Sequence, residues 1–184
     1  MGQYSIKGIL AGIFISIAGI IYLKVGGIPG AVLFSLGLLG VVECQGKLFT
    51  GLAGWQSSWA DHAWLLFVLV FNVLGCALVA FALGDTFDTA QSYIQARMNA
   101  PWWLVVIRAI GCGILMTMAI TGVKNKSYIP LLFCVPGFIL AGFYHCVADA
   151  FYFCVCPDKD WNYIWTWLLT VLGNYVGCKI PRLG

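Results

Sequence analysis

Six apolar runs leave this chain little choice of solvent. They lie at about 6–23, 30–49, 63–83, 102–123, 129–156 and 161–178. A bilayer span needs about 20 mostly apolar residues, and these runs meet or approach that length. Only 9% of the 184 residues are charged and 61% are hydrophobic, whereas a soluble domain carries about 25% charged residues. A water-soluble domain and a disordered chain are both excluded. The net charge of +3 comes from ten Lys and Arg against seven Asp and Glu. These are scattered without a basic patch, so no nucleic-acid partner is expected. The prediction is an all-α, multi-pass membrane protein forming a single transmembrane domain over 1–184, with the lipid bilayer as its first partner. The first run is read as a span and not as a cleavable signal, because it lacks a small-residue cleavage site and more spans follow it.

Polar residues punctuate the runs. A Gly-Gly-Ile-Pro turn at 26–29 separates the first two, and the second decays into Glu43, Gln45 and Lys47. The longest polar stretch, 84–100, holds Asp88 and Gln91 in a D-x-x-Q helix-start pattern and predicts a short surface helix. Trp55, Trp59, Trp64, Trp102, Trp103, Trp161 and Trp165 lie near span ends, as interfacial aromatic belts require. Of the eight cysteines, Cys44, Cys76, Cys112, Cys134, Cys146 and Cys178 fall in apolar segments and act as small hydrophobes. Cys154 and Cys156 are spaced C-x-C, which is neither a redox nor a zinc pattern. No metal and no cofactor is expected. An even span count puts both termini on one side. Taking that side as cytoplasmic places Lys7, Lys124, Lys126, Lys179 and Arg182 inside and Lys24, Arg97, Arg108 and Lys159 outside. Five against four is a slight positive-inside bias, and the expected location is the plasma (inner) membrane.

The two halves of the chain resemble each other. Gly12-Ile13-Phe14-Ile15-Ser16-Ile17-Ala18 aligns with Gly113-Ile114-Leu115-Met116-Thr117-Met118-Ala119, Lys7 with Arg108, and Ile28-Pro29 with Ile129-Pro130, all 101 residues apart. Asn72-Val73-Leu74-Gly75-Cys76 aligns with Asn174-Tyr175-Val176-Gly177-Cys178 at 102. Each half (1–84 and 101–184) holds three spans. The odd number forces the second half to enter from the opposite side. The result is a 3+3 inverted repeat, aquaporin-like in architecture and common among transporters, with a midplane site built from discontinuous helices. The second and fifth spans carry the polar interruptions. Their breaks are expected near 43–51 and 145–149, where exposed N–H ends offer partial positive charge to an anion.

His145 lies about 16 residues into its run, close to mid-bilayer at ~1.5 Å per residue. An ionisable group there is either functional or a neutral imidazole joining helices. Lys47 and Asp149 are opposite charges, one in each interruption. They read either as part of a site or as an ion pair that pins the breaks together. Glu43 reads as a structural hydrogen-bonding group. Arg97 and Arg108 flank the fourth span and could concentrate anions at a pore mouth; for Arg108 interfacial snorkelling is preferred. Asn72 and Asn174 are repeat-related buried amides that either bond the freed backbone at the breaks or join helices.

Five segments resemble the formate/nitrite transporter family: A-G-I-F-I-S-I-A at 11–18, L-F-T-G at 48–51, C-G-I-L-M-T-M-A at 112–119, G-F-Y-H-C-V-A-D at 142–149 and L-G-N-Y-V-G at 172–177. The resemblance covers all six spans. It implies a homopentamer in which each protomer passes small monovalent anions or their acids: formate, nitrite, hydrosulfide or short carboxylates. It implies that Thr50 and His145 meet the permeant species mid-pore. Leu38, Leu48 and Phe49 would form one apolar constriction, and Phe34 and Phe138 the other. Arg97 stands where the family has a vestibule lysine, and Asn174 matches its sixth-span asparagine. The chain departs from the pattern at Lys47, where the family has glutamate, and at Asp149 and Gly113, where it has asparagines. Thr50 and Asn72 are only 22 residues apart, so the second limb of the broken second span must be short.

The expected mechanism is electrostatic. Arg97 gathers the anion, and Lys47 and the broken-helix N–H groups draw it inward. The apolar rings bar hydrated ions, because a bare charge is costly there. A neutral acid crosses more easily, with His145 a candidate proton donor, so a proton accompanies the anion when the acid crosses. Rival readings are a water, ammonia or urea channel, which lacks its N-P-A signatures here, and a membrane thiol oxidoreductase using Cys154 and Cys156. A purely structural subunit is a third. No nucleophile–base pair supports an enzyme.

Overall fold

A computed structural model describes residues 2–183, with side chains from Ser5 onward. The described residues form helices joined by short turns, with no strand. The long helices are α1 (Gly2–Val25), α4 (Trp59–Leu83) and α6 (Trp102–Lys124). All three are long and apolar enough to cross a membrane. Between them and after them come α2 (Gly27–Glu43), α3 (Phe49–Leu52), α5 (Asp88–Met98), α7 (Ile129–Leu140), α8 (Cys146–Val155) and α9 (Tyr163–Lys179). α1 packs on α2 and α4, α6 packs on α7 and α9, and α2 meets α7 between the two groups.

Small residues bring the backbones together. A Cβ added at Gly12 would fall 2.1 Å from the Asn72 carbonyl oxygen, and one at Gly113 would fall 2.4 Å from that of Asn174. From the other side, a Cβ at Gly75 would meet the Ile9 oxygen at 2.2 Å, and one at Gly177 the Ile110 oxygen at 2.2 Å. The α1–α4 and α6–α9 crossings therefore use glycines at matching positions on both faces. Neither crossing can admit a methyl group without moving main chain. Gly177→Ala should destabilise the protein by about 2 kcal/mol, read as a lower thermal midpoint in detergent. An unchanged midpoint would mean that the α6–α9 crossing yields freely.

The second and fifth apolar runs are broken, as expected; the first break, 44–48, lies inside the expected 43–51, and the second, 141–145, ends at His145 instead of beginning there. Both are built alike. After α2, Gln45 takes a left-handed φ of 54°, and the N–H groups of Gln45 and Gly46 bond back to Val42 and Val41. After α7, Gly142 takes φ 69°, and Gly142 and Phe143 bond back to Ile139 and Phe138. This is the helix-ending pattern in which a left-handed residue lets two N–H groups satisfy terminal carbonyls. The limb after the first break is only α3, with a 3₁₀ turn at Ala53–Trp55 behind it, which meets the short-limb expectation. The expected surface helix is α5, but its capping differs from the D-x-x-Q reading. Phe87 holds the N-cap without a side-chain bond, and Gln91 Oε1 accepts the Asp158 N–H instead. All eight cysteines are free, and Cys44, expected among packed hydrophobes, is exposed at the first break.

Candidate functional site

Both breaks are closed by an asparagine from a neighbouring helix, Asn72 of α4 and Asn174 of α9. An asparagine side chain offers one acceptor oxygen and two N–H donors, and both residues use all three. Asn72 Oδ1 accepts from Phe49 N–H at 2.9 Å. Its Nδ2 donates to Gly8 O at 2.9 Å and to Lys47 O at 2.7 Å. Asn174 Oδ1 accepts from Cys146 N–H at 2.9 Å, and its Nδ2 donates to Ala109 O and Tyr144 O, each at 2.8 Å. Each amide thus caps the limb after its break, holds the extended residues before it and ties both to the first helix of its half. The freed backbone groups that apolar surroundings would penalise are satisfied in this way.

The two limbs bring together the residues that the sequence singles out. Leu48 and His145 occupy the extended N-cap positions of α3 and α8. His145 Nε2 lies 3.0 Å from Thr50 Oγ1. Its Nδ1 accepts the Ala148 N–H at 3.2 Å, and that bond assigns the tautomer. Nδ1 is an acceptor, so the proton sits on Nε2 and is donated to the threonine oxygen. A proton added at Nδ1 would face an N–H of the helix end, so this ring is held neutral by geometry. The Thr50 hydroxyl proton remains available to donate elsewhere. Phe138 stacks on the His145 ring at 5.7 Å, and Phe34 meets Phe138 edge-on at 6.2 Å. Leu38, Leu48 and Phe49 are buried in the same cluster.

A cavity of about 200 Å³ opens on the Phe34/Phe138 side and reaches His145. A water needs about 10–15 Å³ of such space, so the cavity has room for a small hydrated anion. Its charged lining is Arg97, Arg108 and Asp149, joined by Tyr22, Tyr93, Tyr144 and Tyr152. Here the structure corrects two expectations. Asp149 pairs with Arg97, Nε to Oδ2 at 2.9 Å, and not with Lys47. Lys47 belongs to the other break, where its N–H donates to Lys7 O. Asp149 sits inside the first turn of α8, and α5 lies against that helix. Arg97 also donates to Tyr93 O at 2.9 Å and rests over the Tyr144 ring at 4.5 Å. It is 9% exposed, so it is an anchored and neutralised cation, unlike a free vestibule charge. The second correction is Arg108. Its Nη1 donates to Tyr144 Oη at 2.7 Å, so it turns inward and does not snorkel. Glu43 accepts from the Tyr128 hydroxyl, in keeping with a structural role. Among the described residues no group of three His, Cys, Asp or Glu side chains could hold a metal ion.

Sequence reasoning missed Tyr144 and the inward face of α5. A signal for the latter was present. Ala90, Ile94 and Arg97 follow one another at helical spacing, and all three are buried, so the arginine continues an apolar stripe.

Residues 1–180 match the family described as formate/nitrite transporter. The chain belongs to the formate/nitrite transporter family. It is therefore an integral membrane protein of a transport family and not an enzyme. Its fold is shared with solved structures, among them two channels. A pentameric formate channel with formate bound superposes with a TM-score of 0.87 at 20% identity, covering 98% of this chain and 93% of that one. An FNT family ion channel superposes with a TM-score of 0.86 at 18% identity, covering 97% and 86%. No curated protein matches the sequence.

Proposed function

We propose that this formate/nitrite transporter family member passes small monovalent anions or their conjugate acids: formate, nitrite, hydrosulfide or short carboxylates. The reading rests above all on the Thr50–His145 pair, 3.0 Å apart where two broken helices converge. Around it we propose six spans in two inverted three-helix repeats, 1–84 and 101–184. The matching asparagine bonds and glycine crossings support that arrangement. The pentameric relative supports five protomers, each with its own pore. The proposed setting is the plasma (inner) membrane, with both termini cytoplasmic.

In this reading Phe34 and Phe138 bar hydrated ions on one side of His145, and Leu38, Leu48 and Phe49 bar them on the other. A bare anion meets a desolvation cost at each ring that its neutral acid largely avoids. At the centre, His145 Nε2–H orients Thr50, and the Thr50 hydroxyl donates to the permeant oxygen or sulfur. The pair works as a hydrogen-bond donor. With Nδ1 occupied by the α8 helix end, the ring holds no spare acidic proton, so the acid form must arise from bulk or vestibule water. The neutral fraction of an acid rises about tenfold per pH unit lost above its pKa, and flux should rise with it.

Formate uptake into liposomes at two external pH values tests both points. His145→Asn keeps a good N-cap but shortens the reach to Thr50. It should assemble, pass formate about tenfold more slowly for want of one charge-free hydrogen bond, and retain the parent's pH slope. A lost slope would make His145 the proton donor. Full activity at unchanged slope would remove His145 from the mechanism. No flux from the parent for any of the four anions would end the proposal.

A further inference from the structure

The cavity beside His145 holds two arginines, and only one of them has an acidic partner. Arg97 is joined to Asp149 at 2.9 Å, the one salt bridge among the described residues. It is also pinned by Tyr93 O and by the Tyr144 ring. Arg108 is half-buried and lines the same cavity. Its single side-chain bond runs from Nη1 to the Tyr144 hydroxyl. Tyr144 therefore lies against both guanidinium groups, with the Arg97 carbon 4.5 Å and the Arg108 carbon 5.5 Å from the ring centre. Counting Arg97 and Asp149 as one neutral unit leaves one uncompensated positive charge in the wall.

We infer that Arg108 is the anion-receiving residue of this cavity, and that the Arg97–Asp149 pair confines the cavity's positive charge to that one guanidinium. The inference rests on the anion-transport reading above and assigns the capture step to a named residue. A single positive charge matches a monoanion. A guanidinium has five N–H donors in a planar fork, and Arg108 commits one of its nitrogens to Tyr144. The Nε and Nη2 edge remains for a planar two-oxygen anion, a carboxylate or nitrite, held by two parallel bonds. Hydrosulfide, with one acceptor atom, gains the charge but not the fork. Tyr144 fixes the guanidinium plane, so it acts as a positioning residue.

The test is initial uptake by the purified parent and variants in liposomes, at fixed pH, against formate and hydrosulfide concentration and at low and moderate ionic strength. Arg108→Gln should raise the half-saturating formate concentration about tenfold while maximal flux changes less, and should flatten the ionic-strength dependence. Arg108→Lys should restore the ionic-strength dependence and the hydrosulfide half-saturation, but leave formate weakened about threefold for want of the second bond. Asp149→Asn, where it assembles, should steepen the ionic-strength dependence by releasing Arg97. An assembled Arg108→Gln with the parent's half-saturation and salt response would overturn the inference. So would a Lys variant that serves both anions equally. A parent that carries none of formate, hydrosulfide, nitrite and acetate would instead overturn the transport reading itself.

Discussion

Asn174→Leu should cost on the order of 4 kcal/mol, among the largest effects of any single change here. The leucine is close in size, so packing alone would forgive it. The loss is electrostatic. Cys146 N–H, buried at the start of α8, would have no acceptor, and the carbonyls of Ala109 and Tyr144 would each lose a donor. Ala109 O keeps its donor within α6, but Cys146 N–H and Tyr144 O at the break do not, and each such group costs about 1–3 kcal/mol when stranded away from water. Asn72→Leu should behave alike, through Phe49 N–H and the carbonyls of Gly8 and Lys47. The aspartate variants separate this account from simple crowding. Asn174→Asp keeps the acceptor for Cys146 but turns an oxygen toward two carbonyls. It should therefore fare no better than leucine, although it is the smaller change. Thermal midpoints and the fraction of monodisperse protein in detergent read the outcome, and an aspartate variant as stable as the parent would refute the capping role. The two sites should also differ in function. A weakened Asn174 loosens His145, whereas a weakened Asn72 loosens Leu48 and Phe49.

The same amides show what the sequence could tell. Spans are legible because hydrocarbon imposes length and apolarity on each of them. The breaks are legible because a polar residue inside such a run needs a reason. The match of Asn72 with Asn174 is visible because the two stretches share the Asn-x-x-Gly-Cys spacing, 102 residues apart. The partner of Asp149 was hidden for a physical reason. Opposite charges in two facing interruptions suggest each other, and sequence carries no record of what lies across a groove. Lys47 is held by its own backbone bonds to Lys7 and Asn72, and α5 lays its buried face on α8. The Phe87 N–H bond to Val155 O, 2.9 Å, holds the entry to that helix in place. Arg108 was misread because an arginine near a span end ordinarily reaches for water. The hydroxyl of Tyr144 gave it a nearer partner.

The pairing of Asp149 with Arg97 predicts an effect as large as the loss of a cap. Arg97→Met should destabilise the protein by about 3–5 kcal/mol, because it strands a carboxylate in a buried site. Asp149 is fully buried, and its second oxygen, Oδ1, makes no hydrogen bond of ordinary geometry; the buried Tyr163 hydroxyl beside the carboxylate is the other polar group that interacts with it. The arginine therefore carries most of its compensation. The double variant Arg97→Met/Asp149→Leu should recover most of that loss, since apolar residues of similar volume often replace a buried pair at little cost. Recovery would mark the interaction as a coupled pair, with the double variant well above the sum of the single ones. An Arg97→Met midpoint close to the parent's would mean that water reaches Asp149 freely. Thermal stability and transport should then part company in the recovered double variant. Its fold returns, but its cavity has traded a pinned neutral pair for greasy side chains. Full recovery would show that the pair adds little net stability over such a replacement, and would leave its neutrality, which makes Arg108 the one uncompensated charge of the cavity wall, as the reason for its presence.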